Sequence, residues 1–286
     1  MNAVFISLLL SAVALGTPLL LAAVGEVVGE KSGVLNVGLE GMMLMGAFAG
    51  AAASMGTGNG FAGVVAAMAA GMLLSSIFAF LVVQGRADAV VAGTGLNLFA
   101  LGLTGVAFRG LSTRFPDVRV VKVPEPAFWV FALLICFLVS WTLSSTRLGL
   151  QIRACGENPQ AAESAGISVA KTRWGCTLWN GALCGLAGAF LSISHTDSFA
   201  ENMTAGRGFI ALALVIFGRW NAWGALGAAL LFGAAEGSQF WLQTRIATAW
   251  YPLLLALPYV LTLLVLSGFA GSVRAPAALG QNETEQ

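Results

Sequence analysis

Charge is what this sequence has least of. Only 9% of its 286 residues are Asp, Glu, Lys or Arg, against about 25% in a typical soluble domain. So small a set cannot solvate a globular surface, which excludes an ordinary soluble fold. The net charge is +1, so no bulk attraction to nucleic acid follows. Histidine occurs once, as His195. It lies near Asp197 at the end of an apolar run and fits a capped helix end or an interfacial or pore-lining position. Of the four cysteines, Cys136, Cys176 and Cys184 fall in apolar runs and Cys155 in a polar stretch. None has metal-ligand spacing, and the first three read as small core residues. There is no GxSxG and no HExxH. A membrane-embedded enzyme therefore lacks a nucleophile, a metal cluster and an acid–base pair. The opening MNAVFISLLL lacks a cationic segment, so the first span is expected to be retained rather than cleaved.

What is abundant is apolar sequence of membrane-spanning length, about 17–25 residues. Ala3–Val24, Phe61–Gln84 and Thr248–Phe269 carry no charge at all. They do not alternate as strands of a membrane barrel would. The expected fold is all-α, a polytopic transmembrane helical bundle. Nine spans are predicted, near 3–24, 33–55, 61–84, 89–107, 127–143, 174–195, 206–219, 222–242 and 248–269. The seventh is short. The second carries Asn36 and Glu40 near its start and is expected to be broken, which a membrane tolerates only where protein or water meets the freed backbone. Residues 1–269 are expected to form the transmembrane domain, with 144–173 inside it, and 270–286 a solvated cytoplasmic tail. Placing 144–173 in the cytoplasm leaves eight cations inside and six, Arg207 among them, outside, a slight positive-inside bias. GAFAG (46–50) and GALCG (181–185) fit close helix packing.

Two resemblances to nucleotide sites fail. GEVVGEKS (25–32) has the wrong spacing for a phosphate loop, and GNGFAG (58–63) lies in a turn between spans. The Asn202 and Asn282 sequons are chance-level matches.

The polar interruption TRLGLQIRACGENPQAAESAGISVAKTR (146–173) holds four of the fourteen cations. Asn158 is a helix N-cap, Pro159 suits the first helical position, and Gly166 supplies a stop. The predicted helix has about two turns, too short to stand alone, so it must dock. Its alanine face suits a shallow groove, with Glu157 and Glu163 at the rim. A passive connector is the plain alternative, but capping at both ends argues for a docking element.

The stretch GLQIRACGENPQAAESAGISVAKTR resembles the coupling loop of the branched-chain amino acid and ribose permease family of bacterial ABC importers. TPLLLAAVGEVVGEKSGVLNVGLEGMMLMGAF (17–48) resembles that family's N-terminal block. GRGFIALALVIFGRWNAWGALGAALLFGAAEG (206–237) resembles its C-terminal block. The wording is most similar to the nucleoside-type branch, whose systems pair a longer and a shorter permease; a homodimer is the other arrangement in the family. The resemblance implies a multi-pass subunit of the bacterial inner (plasma) membrane. Its partners would be a second permease, an ABC ATPase and an extracytoplasmic substrate-binding protein. It implies no cofactor bound by this chain, with ATP and Mg held by the partner ATPase. Glu157, Asn158, Pro159, Ala161, Ala162, Glu163 and Gly166 would meet that ATPase.

Polar groups inside spans face a cavity or another helix. They are Asn36, Glu40, Thr94, Asn97, Thr104, Asn180, Glu236 and Gln239, with Phe99 and Trp179 able to stack on a flat base. Glu40 can equally orient neighbouring backbone. Asn97, between two threonines, leads the pathway candidates. The glycine-rich VVAGTGLNLFALGLTG (90–105) is expected to permit an unwound segment beside the pathway. A competing class is an ion-coupled secondary transporter with Glu40 and Glu236 as coupling sites.

Overall fold

A computed structural model of the chain describes residues 2–114, 120–243, 260 and 274–280. Among them the secondary structure is helical throughout, as lipid-immersed backbone requires. The first helix, α1 (Asn2–Lys31), runs past the predicted boundary at 24 and through Glu26 and Glu30. These carboxylates do not end the helix, because buried partners receive them. The chain then leaves helical geometry at Gly33, whose φ is +93°, and re-enters it as α2 (Leu39–Thr57). The expected break in the second span is therefore at its start. A left-handed Gly58 closes α2, and its N–H donates to Ser54 O.

Asn59 accepts from Phe61 N and caps α3 (Gly60–Ala79). That helix ends in a π-turn, Phe80–Gln84. Asp88 Oδ1 accepts from Val90 N and Val91 N, each at 2.9 Å, and opens α4 (Ala89–Arg114). Next come α5 (Glu125–Ser145), α6 (Arg147–Glu157), α7 (Pro159–Ser164) and α8 (Val169–Ala189). A second π-turn, Phe190–His195, extends α8. The described chain continues with α9 (Arg207–Phe217) and α10 (Ala222–Gln243).

Among the described residues five helices are long and apolar enough to cross a membrane. The span in α8 is 89% buried and the one in α1 72%, whereas those in α3, α4 and α5 are 28–33% buried. So α1 and α8 form the centre and the others present apolar side chains such as Leu73, Leu98, Val106 and Val130 outward. Lipid removes most of the hydrophobic drive between helices, so close packing must hold this centre. Glycine supplies it. A Cβ on Gly46 of α2 would stand 2.5 Å from Gly185 Cα of α8, and one on Gly185 would run into the Ala67 carbonyl of α3. Both small-residue stretches picked out in the sequence thus meet each other.

The short seventh segment is α9, 11 residues or about 16 Å, half a bilayer core. The ninth predicted span, 248–269, lies outside the described residues apart from Val260. At the chain end, residues 274–280 are not wholly solvated. Pro276 and Ala278 are buried, and Ala278 N donates to Gly156 O at 2.9 Å.

Substituting Gly46 by Val should destabilise the bundle by about 3 kcal/mol, since backbone rather than a pliable side chain opposes the new atoms. Gly227→Ala, where a Cβ meets nothing within 4 Å, should leave stability unchanged or raised. Thermal unfolding of the detergent-solubilised protein separates the two; equal melting temperatures would contradict the packing.

Candidate functional site

Two polar features stand out in this apolar bundle. The first is the loop 146–168. Thr146 Oγ1 accepts from Gly149 N at 3.1 Å and starts α6. This amphipathic helix is absent from the spans and the short helix expected from sequence, because Arg147 and Arg153 read there as mere cationic flanks. Leu148, Ile152 and Cys155 recur at helical spacing and are the signal that points to it. Asn158 Oδ1 then accepts from Ala161 N at 3.0 Å, with Pro159 in the first helical position. At the other end Gly166 is left-handed, φ +81°. Gly166 N donates to Glu163 O at 2.9 Å and Ile167 N to Ala162 O at 3.0 Å, a paired closure that satisfies the last carbonyls.

The predicted short helix is therefore present as α7, seated by its own protein. Ala162 turns inward onto Cys155 and Val169, flanked by Ala154 and Ile167. Burial pushes the Cys155 thiol above its ordinary pKa. Glu157, Asn158, Ala161 and Glu163 are exposed, Pro159 is half-buried, and Gly166 is exposed at the stop. Gly156 packs on the backbone of Lys31 and Gly33 at the end of α1. Arg173 Nε donates to Ser32 O at 3.2 Å. The loop is thus bolted to α1.

The second feature is a buried seam of polar groups. Glu26 accepts from Asn36 N at 2.8 Å and from Asn180 Nδ2. Glu30, one turn on, accepts from Trp220 Nε1. Asn36 Oδ1 accepts from Gly38 N at 2.9 Å and shapes the non-helical stretch before α2. Neither glutamate is among the site residues expected from sequence. Both belong to the stretch that only superficially resembles a phosphate loop, yet a charge beside so long an apolar run is itself a signal.

Glu40 takes the backbone-orienting role. Its two carboxylate oxygens accept from Gly206 N at 2.8 Å and Gly208 N at 2.7 Å. It stands at the N-terminal end of α9, where free N–H groups and the helix dipole favour an anion. No side chain fits on Gly208, because a Cβ there would strike the Glu40 backbone. Arg207, counted above among the outer cations, lies within the bundle and pairs its Nη2 with Glu236 Oε1 at 3.1 Å. Such a partly shielded pair loses less to solvent screening than an exposed one. Beside it the Thr204 hydroxyl is buried without a hydrogen-bond partner.

Asn97 accepts from Gly41 N at 2.8 Å and donates to Val37 O at 2.9 Å. Its carboxamide is taken up by the turn that starts α2. The segment 90–105 is not unwound: α4 is a continuous helix. The non-helical backbone lies instead before α2. Thr94 bonds back to Val90 O and Thr104 to Ala100 O, each at 2.7 Å. Thr104, Asn180 and Gln239 are buried. Thr94 and Phe99 lie on an exposed face of α4, and Trp179 lies elsewhere, on a groove beside α5 and α6. At the opposite end of the bundle, Arg109 pairs with Glu201 at 2.9 Å, Lys122 with Asp197 at 3.1 Å and His195 with Glu125 at 3.2 Å. The Arg109 guanidinium holds the Glu201 carboxyl below its usual range. Among the described residues no cluster of His, Cys, Asp and Glu is arranged to hold a metal ion.

Residues 8–266 match the family described as "Branched-chain amino acid transport system / permease component". The chain is 35% identical to the guanosine ABC transporter permease protein NupQ of Bacillus subtilis, over 92% of each chain. It is 34% identical to the nucleoside ABC transporter permease protein NupC of Lactococcus lactis, over 93% of each. A second guanosine permease of Bacillus subtilis, NupP, is 26% identical over 77% of this chain and 70% of its own. No solved structure matches.

Glu40→Ala should destabilise the protein by about 3 kcal/mol, since two hydrogen bonds to a charged group are lost and buried donors are left bare. Glu40→Gln, which keeps one acceptor oxygen, should cost about half of that. Thermal unfolding measures both; a Glu40→Ala variant as stable as the parent would show that this carboxylate does not hold α9.

Proposed function

The chain belongs to the branched-chain amino acid transport permease family, a multi-pass ABC importer subunit and not itself an enzyme; from this we propose that it carries nucleosides. The relatives named for guanosine and nucleosides cover nearly its whole length, which supports that solute class. NupP and NupQ are two different guanosine permease proteins of one organism, which supports a second, different permease as partner. A separate ABC ATPase that binds ATP and Mg would drive the pair, and an extracytoplasmic binding protein would deliver the solute. The plasma membrane, inner in a two-membrane cell, is the matching location, with the loop 146–168 in the cytoplasm.

The observation that carries the energy-coupling part is α7. It is capped at both ends, too short to stand alone, seated from below by Ala162, and presents Gln160, Ala161 and Glu163 outward, with Glu157 exposed just before it at the end of α6. A rigid protrusion of this kind suits a groove on a motor protein. Ala162, Pro159 and Gly166 then shape the helix, while Glu157, Asn158, Ala161 and Glu163 meet the ATPase.

For the pathway, the division of labour follows exposure. Thr94 and Phe99 face outward from the single chain and would line a passage between two permeases. Asn36, Glu40, Asn97, Asn180 and Glu236 brace that passage from behind. The ion-coupled reading is not favoured. It needs Glu40 and Glu236 to exchange ions, yet one caps α9 and the other neutralises Arg207.

Ala161→Arg and Glu157→Arg, tested in the reconstituted complex, should lower nucleoside uptake at least tenfold while ATP hydrolysis by the motor persists. Uptake at the parental rate in both variants, with unaltered hydrolysis, would sink the coupling assignment. This chain reconstituted without the ATPase should give no uptake.

A further inference from the structure

Beyond its first two residues α8 is buried or half-buried except along one stripe, where Lys171, Gly175 and Trp179 are exposed at intervals of four. That stripe floors a cavity of about 620 Å³. Leu138 and Thr142 of α5 form one wall, and Leu148 and Ile152 of α6 form another. Gly175 makes the trench, since a Cβ on it would meet nothing within 4 Å. Along α8 the floor runs eight residues from Lys171 to Trp179, about 12 Å at 1.5 Å per residue. Lys171 is the one charged side chain among the described lining residues, and it sits at the loop end of the trench.

This layout has a direction: a cation at the polar rim, then an apolar slot, then an indole. A nucleoside needs several convergent polar groups, whereas this lining is mostly apolar, with Thr142, Gln151 and Thr172 as its uncharged polar side chains. The motor-facing surface of α7 is elsewhere. We propose that the trench holds one acyl chain of an anionic phospholipid, with the lipid phosphate at Lys171 Nζ. Three features support that occupant. Lysine extends its stem along apolar surface and reaches toward headgroups. Tryptophan favours the border between headgroups and hydrocarbon, and Trp141, four residues from the loop end of α5, is exposed there. The walls are contributed by α5, α6 and α8, so the lipid wedges between the bundle and the helix that supports α7. The site does not depend on which solute is carried.

The test uses the whole transporter, both permeases with the ATPase, in nanodiscs of equal parts phosphatidylglycerol and phosphatidylethanolamine. Native mass spectrometry should find one phosphatidylglycerol retained after delipidation of the parent. Gly175→Phe and the milder Gly175→Leu should retain none, since their side chains fill the slot. Lys171→Gln, a change at an exposed position, should keep a lipid but lose about fivefold in its preference for phosphatidylglycerol. Retention unchanged in the Gly175 variants, or no anionic preference in the parent, overturns the proposal. Release of the second permease by Gly175→Phe, with no lipid held by the parent, would make the trench a subunit interface and also overturn it. None of these outcomes bears on uptake by Ala161→Arg, so the two readings fail separately.

Discussion

The architecture depends on buried side chains that accept hydrogen bonds from broken backbone. In hydrocarbon an open N–H costs several kcal/mol, so a helix can be interrupted only where something replaces its internal bonds. Glu40 does this for the start of α9, Asn97 for the start of α2, and Glu26 for Asn36 in the stretch between α1 and α2. Each is an acceptor brought from a different element. Remove them and the short helix and the broken one lose their reason to sit inside a bilayer. The seam is therefore first a structural necessity.

Around the seam, glycine sets the spacing. Gly46 against Gly185, and Gly71 against Gly181, leave no room for a Cβ. Helices this close cannot slide without backbone collision, so α2, α3 and α8 behave as one block. The outer helices α4 and α5 carry no such lock on their exposed sides. A transporter needs both properties: a rigid part that keeps the polar groups registered, and outer faces free to meet lipid or a second permease.

Legibility follows the range of the interactions. The cap and stop of α7 are readable because Asn158, Pro159 and Gly166 act on their own neighbours. The meeting of GAFAG and GALCG is readable as a tendency, though not as a pair. Glu26 and Glu30 are not, since their partners Asn180 and Trp220 lie 154 and 190 residues away and charge alone suggests a span's end. Asn97 is conspicuous in the sequence as a polar group in a span, but its structural duty is hidden there, for its partners are backbone atoms some 60 residues back. The glycines of 90–105 suggest unwinding, yet a glycine in a helix costs only about 1 kcal/mol, and α4 absorbs four of them. The unwound backbone sits where a left-handed Gly33 and a side-chain-bonded Asn36 coincide.

These pieces join at the end of α1. Gly156 of the loop rests on the backbone of Lys31 and Gly33, Arg173 holds Ser32, and Ala278 from near the chain end clasps Gly156. Farther back along the same helix, Glu26 holds Asn36, and the chain from Asn36 leads directly to Glu40 and so to α9. A helix transmits displacement along its axis with little loss, whereas a flexible linker would dissipate it. The loop that carries α7 is therefore joined to the seam through one continuous helix. The same route explains why carboxylates are kept in α1 despite their desolvation cost. An apolar residue there could pack, but it could not fix the angle at which the broken segment leaves the strut.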